Sequence, residues 1–472
     1  MAQFIEKDFQ PYMYTNGDNK RKFIMERTQE LCGRKFVDDA FMVVDIGDVL
    51  KKHKEWLSEL PRITPFYAVK CMPYDPLLSV LASLGCGFDC ASLGEINRVL
   101  RLGVSPSRIV LSHTQKQRSH LSYASKCNVD LMTFDDTTEL LKIKEVCPEA
   151  RLLLRLSVFD KTAHIIFGHK FGCLHNNVHT LLEFAKKHRL NVTGIHFHIG
   201  SGSQDPDIFE RALKCARDVF DIGMRLGFSM TILDIGGGFP ARHTFKLFAG
   251  SVRKGIDSYF PPDSGVTIIA EPGRFYVQSA ATLVANIIGI KSGRRLDTNT
   301  ETYNDSTEMS DILKTDVPLN YDYMYFVNDG LFTSFLANVF EFPITLPKTY
   351  KEVNVDEMEY ESVVVGQTVA EQDVIVKDCM LPQLKVGDWI VFEDMGAYTT
   401  CLSTEFNGFD RPFFFYAVPE NVWSYIHPLL VQCREQMTDT KAASNQTPNT
   451  GKHIVDISTT EILQSVYSLQ AF

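Results

Sequence analysis

The segment "PFYAVKCMPYDPLLSVLASLGCGFDCASLGEINRVLRLG", residues 65–103, carries the pattern on which the fold turns. A short apolar run, "PFYAVK" (65–70), leads into a helix-like stretch, "DPLLSVLASLG". A second run, "GFDCAS" (87–92), leads into a second such stretch, "SLGEINRVLRLG". Short apolar runs separated by longer amphipathic ones read as buried parallel strands joined by helices. The alternation continues through "IVLSH" (109–113), "LMTF" (131–134), "RLLLRLS" (151–157), "TGIHFHIG" (193–200), "TILDIGGG" (231–238) and "TIIAEPGR" (267–274). Eight units of this kind favour a closed (β/α)8 barrel over an open doubly wound sheet. Lys70, Asp89, His113, Arg155, His198, Gly236 to Gly238 and Glu271 all fall at or just past a predicted strand end, and in a barrel those ends meet at one mouth.

After residue 280 the texture changes. The stretch "GRRLDTNTETYNDSTEMSDILKTD" (293–316) is polar and aperiodic and reads as a mobile excursion. Beyond it, "YMYFVNDG", "ESVVVGQTV", "DVIVKDCM" and "GDWIVFEDMGAYT" alternate as strands of a mainly β domain. The last residues, from about 435, read as a largely disordered tail.

The 472-residue chain has a formal net charge of -10, and its basic runs, "KKHK" (51–54) and "AKKHR" (185–189), are too short to follow a phosphate backbone. A nucleic-acid partner is not expected. The start, "MAQFIEKDFQ", carries charge where a signal peptide needs an apolar core, and no run reaches membrane-spanning length, so cytoplasm and no membrane partner are expected. The 11 cysteines form no C-x-x-C pair, which suits neither a disulfide scaffold nor structural zinc.

Several groups carry chemistry. Lys70 ends an apolar run, where desolvation would favour the neutral, nucleophilic amine needed for a Schiff base. "LDIGGGFP" gives backbone N–H groups room to approach an anion, without the spacing of a dinucleotide site or a Walker loop. "AEPGRFYV" supplies Glu271, a carboxylate able to pair with a ring nitrogen, and Arg274, suited to phosphate. His196 and His198 lie two apart. His198 is the one chosen for the mouth, since Ser201 and Gly202 follow it. Their spacing also suits a metal, but no cysteine or carboxylate is close in sequence and no metal is expected. Taken singly, each group has a plainer reading as an incidental lysine, a tight turn or a surface ion pair.

Taken together, "PFYAVKC", "GFDCAS..E", "HFHIGSG", "LDIGGGFP", "EPGR", "VNDG" and "GDWIVFEDMGAYT....FNGF" resemble the eukaryotic ornithine decarboxylase family, in the same order over residues 35–420. That family includes catalytically inactive antizyme inhibitors. The resemblance implies a pyridoxal 5'-phosphate enzyme with an alanine-racemase-like fold. Residues 1–45 would open the β domain, 46–280 would form the cofactor-binding barrel, and 281–434 the rest of the β domain, followed by the 435–472 tail. It also implies a homodimer with shared active sites acting on a small amino acid.

Carried over by position, the resemblance makes Lys70 the lysine bonded to the cofactor and Glu271 the partner of its ring nitrogen. Asp89, Glu95 and Arg155 would support them, and His198 would stack on the ring. Ser201, Gly236, Gly237, Gly238, Arg274 and Tyr398 would surround the phosphate. Asp329, Val369, Ala370 and Phe406 would line the substrate side, with Asp329 facing the substrate's distal amine from the partner subunit.

The pattern fails in "VVVGQTVAEQDV" (363–374). Active members read tryptophan-glycine-proline-threonine-cysteine-aspartate, whereas here Val369 stands for the cysteine and Ala370 for the aspartate. Either the chain has decayed to a regulator like the antizyme inhibitors, or its substrate has changed. With Asp89, Arg155 and Arg274 all present, the second is expected: decarboxylation of an aliphatic L-amino acid such as leucine. Ornithine or lysine is the alternative that Asp329 keeps open. Without the thiol, Lys70, His198 or a water would return the proton. The family's antizyme-binding region aligns with 116–142. Lys116 and Lys142 remain there, but Ser122 and the acidic pair at 135–136 predict weak or absent binding.

Overall fold

The computed structural model describes residues 11–15, 20–32, 38–294, 320–340, 345–350 and 358–431. Two strands come first, β1 (Tyr12–Tyr14) and β2 (Phe41–Asp45). The barrel strands follow: β3 (Ile63–Ala68), β4 (Gly87–Cys90), β5 (Ile109–Leu111), β6 (Leu131–Phe134), β7 (Arg151–Leu156), β8 (Asn191–Phe197), β9 (Ile232–Asp234) and β10 (Thr267–Ala270). They close in the order β10-β3-β4-β5-β6-β7-β8-β9, every pair parallel.

The helix Leu93–Arg101 shows how sequence sets the units. Ser92 caps its start by accepting the Glu95 amide at 3.3 Å, Ile96 and Val99 face the core, and Gly103, at φ 81°, turns the chain after its end.

Inside the barrel, Phe66, Val110, Leu131, Leu153, Ile232 and Ile269 pack as an apolar plug. Gly87 and Gly194 make room for it: a Cβ on the first would lie 2.6 Å from the Phe66 ring, and on the second 1.8 Å from the Ile232 carbonyl. Side chains alternate along a strand, so the next inward positions lie two residues further on. Those positions are Ala68, Asp89, Ser112, Thr133, Arg155, His196, Asp234 and Glu271. An apolar layer thus supports a polar one directly beneath the mouth.

The remaining strands are β11 (Ala281–Arg294), β12 (Tyr321–Val327), β13 (Lys348–Thr349), β14 (Glu359–Val365), β15 (Val374–Pro382), β16 (Trp389–Phe392) and β17 (Phe413–Pro419). The second sheet runs β1-β17-β2-β11-β12-β14-β15, with β16 pairing β11 and β13. No linker separates it from the barrel. Asp45, which ends β2, caps the helix Ile46–Glu59 by accepting the Gly47 amide at 2.8 Å. One apolar core contains barrel residues such as Leu154 and sheet residues such as Val44, Leu283 and Val327.

Two strand expectations shorten. β9 stops at Asp234 because Gly236 and Gly238 adopt φ 62° and 103°. β14 stops at Val365, so Val369 and Ala370 leave the sheet on a loop. The polar stretch expected from 293 begins as strand, β11 reaching Arg294; the rest of it and the 435–472 tail lie outside the described residues. No helix among the described residues is long and apolar enough to cross a membrane.

Candidate active site

Lys70 follows β3 on a short turn, Val69–Cys71, and its amine is paired with Asp89. The lysine side chain is 42% exposed at the mouth, whereas Asp89 is fully buried. Desolvation pulls the amine's pKa down, as expected from sequence, but Asp89, Tyr398 and Glu271 together hold it above the ordinary lysine value. The expectation of a neutral amine is therefore corrected: the groups around Lys70 favour its charged form. Burial and the nearby Glu271 push Asp89 up to about 7 against the pull of Lys70.

Deeper in, His196 Nε2 lies 3.2 Å from Glu271 Oε2, both side chains buried. Burial opposes ionisation of Glu271, but His196 and Lys70 outweigh it and hold the carboxyl below its usual range. Asp234 goes the other way: burial and Glu271 drive its pKa well up, and its Oδ1 accepts the Gly236 amide at 2.9 Å. The sequence argument against a metal, that no carboxylate lies near the histidines, fails in three dimensions. His196, Asp234 and Glu271 bring ligand atoms within 4.8 Å of one another, although two of the three are joined by hydrogen bonding.

Above this layer, the three glycines leave no space for side chains. A Cβ on Gly236 would meet the Phe197 carbonyl at 2.1 Å, on Gly237 the Glu271 carbonyl at 2.7 Å and His198 Nε2 at 2.8 Å, and on Gly238 the Gly200 carbonyl at 2.7 Å. His198 lies past the end of β8, with its Nδ1 accepting the Gly200 amide at 3.1 Å and its ring edge-on to Phe167. Burial and Arg155 push its pKa far down, so it is a neutral ring. Ser201 is fixed by paired backbone bonds to Ile165 at 3.1 Å. The Arg274 guanidinium sits 5.4 Å over the Tyr398 ring, and Tyr398, at φ 58°, is tied by its amide to the Cys71 carbonyl at 3.1 Å. Arg155 lies 5.2 Å over Phe171. Glu95 accepts the Ala91 amide at 2.6 Å and so braces the end of β4.

These residues fit pyridoxal phosphate. Asp89 Oδ1 and Glu271 Oε1 are buried without hydrogen-bond partners, as expected of groups held for a ligand. The glycine run is a cradle that any Cβ would fill. A lysine amine, a carboxylate and a guanidinium supply the donor and acceptor types that the aldehyde, ring nitrogen and phosphate require.

The expected substrate residues behave differently. Asp329 is 1% exposed and takes its hydrogen bonds from its own chain. Its Oδ1 accepts from the Gly330 amide at 2.6 Å, the Ser334 amide at 3.0 Å and the Thr333 hydroxyl, and its Oδ2 from the Ser334 hydroxyl at 2.6 Å. It is the cap of its own turn. Val369 is 82% exposed and Phe406 42% exposed, the latter with its ring 4.8 Å from that of Phe332. Val369 is joined to the same patch by its amide, which donates to Asn407 Oδ1 at 3.1 Å. Ala370 follows, half-buried.

Sequence reading missed Asp373, which fastens this loop. It accepts the Thr368 amide at 3.0 Å, the Thr368 hydroxyl at 2.7 Å and, from the Asp329 turn, the Leu331 amide at 2.6 Å. It also missed Asp234, although two-residue alternation from Ile232 would have turned it inward. Cys401 was missed too; its thiol contacts the Cys71 carbonyl at 3.4 Å, and burial pushes its pKa up to about 11.

Comparison with known proteins agrees with this geometry. Residues 46–278 match the family described as pyridoxal-dependent decarboxylase, pyridoxal binding domain. The chain is 41% identical to ornithine decarboxylase of Rattus norvegicus over 90% of each sequence. It is 40% identical to antizyme inhibitor 2 of Xenopus laevis, over 85% of this chain and 86% of that one. The arginine decarboxylase of Paramecium bursaria Chlorella virus, in a crystal structure with agmatine, superposes with a TM-score of 0.75 at 34% identity, covering 84% of this chain and 100% of its own. The chain belongs to the pyridoxal-phosphate-dependent decarboxylases that combine a (β/α)8 barrel with a β domain. Its cofactor is pyridoxal phosphate.

Proposed function

We propose that this decarboxylase acts on an L-amino acid with an uncharged aliphatic side chain, leucine foremost, releasing CO2 and the primary amine. The observation that carries this reading is Asp329. Its four donors come from its own turn, three on Oδ1 and one on Oδ2, so the carboxylate that kept ornithine and lysine open is already largely engaged within its own chain. Burying that cation without a partner costs several kcal/mol, about 3–5 by analogy with a broken buried pair. A butyl group against Val369, Ala370 and Phe406 instead gains roughly 2–3 kcal/mol.

The bound cofactor supplies an electron sink for the bond to the α-carboxylate. In this reading Lys70 carries it, Glu271 holds its ring nitrogen, and Asp89, Glu95 and Arg155 set their field. His198 lies on the ring, while Ser201, Gly236 to Gly238, Arg274 and Tyr398 hold the phosphate. With valine at 369, the ammonium of Lys70, which Asp89 keeps charged, is the best-placed acid to return the proton. Neutral His198 is a poorer one. The loop bearing Val369 is tied down by Thr368 on Asp373 and exposes Val369, which suits completion of the mouth of a second copy.

Relatives named for ornithine and arginine make a basic substrate the second reading. An amine-product screen over all L-amino acids with excess cofactor separates the two. Isopentylamine as main product is expected, and dominant putrescine or cadaverine would reject the aliphatic assignment.

We also infer little or no antizyme binding. Lys116 is 3% exposed and bonded to Glu139 at 2.8 Å and the Thr133 carbonyl at 2.6 Å. Lys142 reaches the other Glu139 oxygen at 2.5 Å and the Lys116 carbonyl at 2.7 Å. Asp136 is spent as a helix cap. The two lysines neutralise a buried acid and offer little charge outward. Co-purification with antizyme should therefore fail at physiological salt, and a stable stoichiometric complex would contradict this.

A further inference from the structure

We infer that His196 is a positioning residue, a neutral hydrogen-bond donor that fixes the ionised Glu271 carboxylate so that its second oxygen is kept for the nitrogen of the cofactor ring. This rests on the reading of the chain as a pyridoxal-phosphate decarboxylase with Glu271 at the ring nitrogen. It is independent of which amino acid is the substrate.

His196 occupies an inward position of β8, in register with Arg155 on β7 and Asp234 on β9. It is wholly buried, and its Nε2 faces Glu271 Oε2 at 3.2 Å while its Nδ1 has no hydrogen-bond partner. A carboxylate can only accept, so Nε2 carries the proton. With no acceptor in reach of Nδ1, a second proton there would be a buried donor without a partner, which favours the neutral ring.

The neutrality matters. A lysine or arginine in this place would satisfy Glu271 and also cancel its charge, weakening its hold on a protonated ring nitrogen. A neutral donor fixes one oxygen and leaves the negative charge whole. The other oxygen, Oε1, is buried with no hydrogen-bond partner, and burial beside Glu271 raises the pKa of neighbouring Asp234, which weakens its competition for a cation. Of the two histidines in "HFHIGSG", one thus lies past the strand end at the mouth and the other acts from beneath.

The test uses holoenzyme loaded with pyridoxal phosphate carrying 15N in the ring. In the wild type the ring nitrogen should give a pyridinium resonance. In His196→Leu it should move toward the pyridine position, with kcat lower by about 10- to 100-fold and KM within about twofold. His196→Gln, which retains an N–H near the same place, should keep the pyridinium signal and recover most of kcat. A pyridinium resonance unchanged in His196→Leu overturns the assignment. Should that variant not fold, 15N spectra of histidine-labelled wild-type holoenzyme decide instead, with the signal lost in His196→Gln taken as His196. A neutral Nε2–H ring supports the assignment, and an imidazolium overturns it. Wild-type protein that takes up no cofactor would overturn the decarboxylase reading itself, a result separate from either of these.

Discussion

Lys70→Ala should abolish amine formation, with a loss of about a thousandfold or more, because the group that carries the cofactor and the acid that returns the proton disappear together. The fold should survive. The Lys70 side chain is 42% exposed, so its removal opens no core cavity. Asp89 loses the cation that opposes its upward shift to about 7 and can protonate near neutrality, avoiding an unpaired buried charge. The check is an amine assay beside the cofactor's visible absorption and a thermal melt. Turnover that persists with an unchanged melt would refute the role of Lys70. Mixing offers a second measurement. If the Val369 loop completes a neighbour's mouth, Lys70→Ala chains combined with Val369→Arg chains should recover part of the activity that each lacks alone. No recovery, under conditions where subunits exchange, would place the whole site within one chain.

Ala370→Asp should shift the ratio of kcat/KM toward ornithine and lysine by about a hundredfold, close to 3 kcal/mol, by supplying the carboxylate that a buried ammonium requires. The loop should hold its shape. The Ala370 carbonyl accepts the Asp373 amide at 3.0 Å, and the Asp373 side chain locks Thr368 and Leu331, so the new side chain is carried on a fixed turn. Leucine turnover should fall in the same variant, since the butyl group would desolvate the added charge. An unchanged preference in Ala370→Asp would remove position 370 from the substrate wall.

The barrel was legible because its strands are continuous apolar runs and its reactive residues cluster at their ends, a pattern that survives without tertiary information. Strand parity accounts for the polar layer although the sequence reading did not use it: two steps on from Leu153, Ile232 and Ile269 lie Arg155, Asp234 and Glu271, and two steps on from Gly87 and Gly194 lie Asp89 and His196. What escaped depended on where a carboxylate finds its donors. "VNDG" looks the same whether Asp329 faces a ligand or caps Thr333 and Ser334, because backbone amides leave no mark in a sequence. The charge of Lys70 escaped for a similar reason, since desolvation follows from position in an apolar run while the opposing Asp89 arrives from another strand. Asp373 was hidden by its remoteness from the Asp329 turn that it braces.

The order of the second sheet bears on how the chain is made. Phe41 of β2 pairs with Phe413 of β17, and among the described residues β1 pairs only with β17. A ribosome releases the first strand long before its neighbour exists, whereas every barrel pairing lies within residues 63–270. The barrel strands are all made early, while β2 keeps one edge uncovered until about the last eighth of the chain emerges. Premature termination before residue 413 would leave that edge unpaired, so such products are expected to be prone to aggregation.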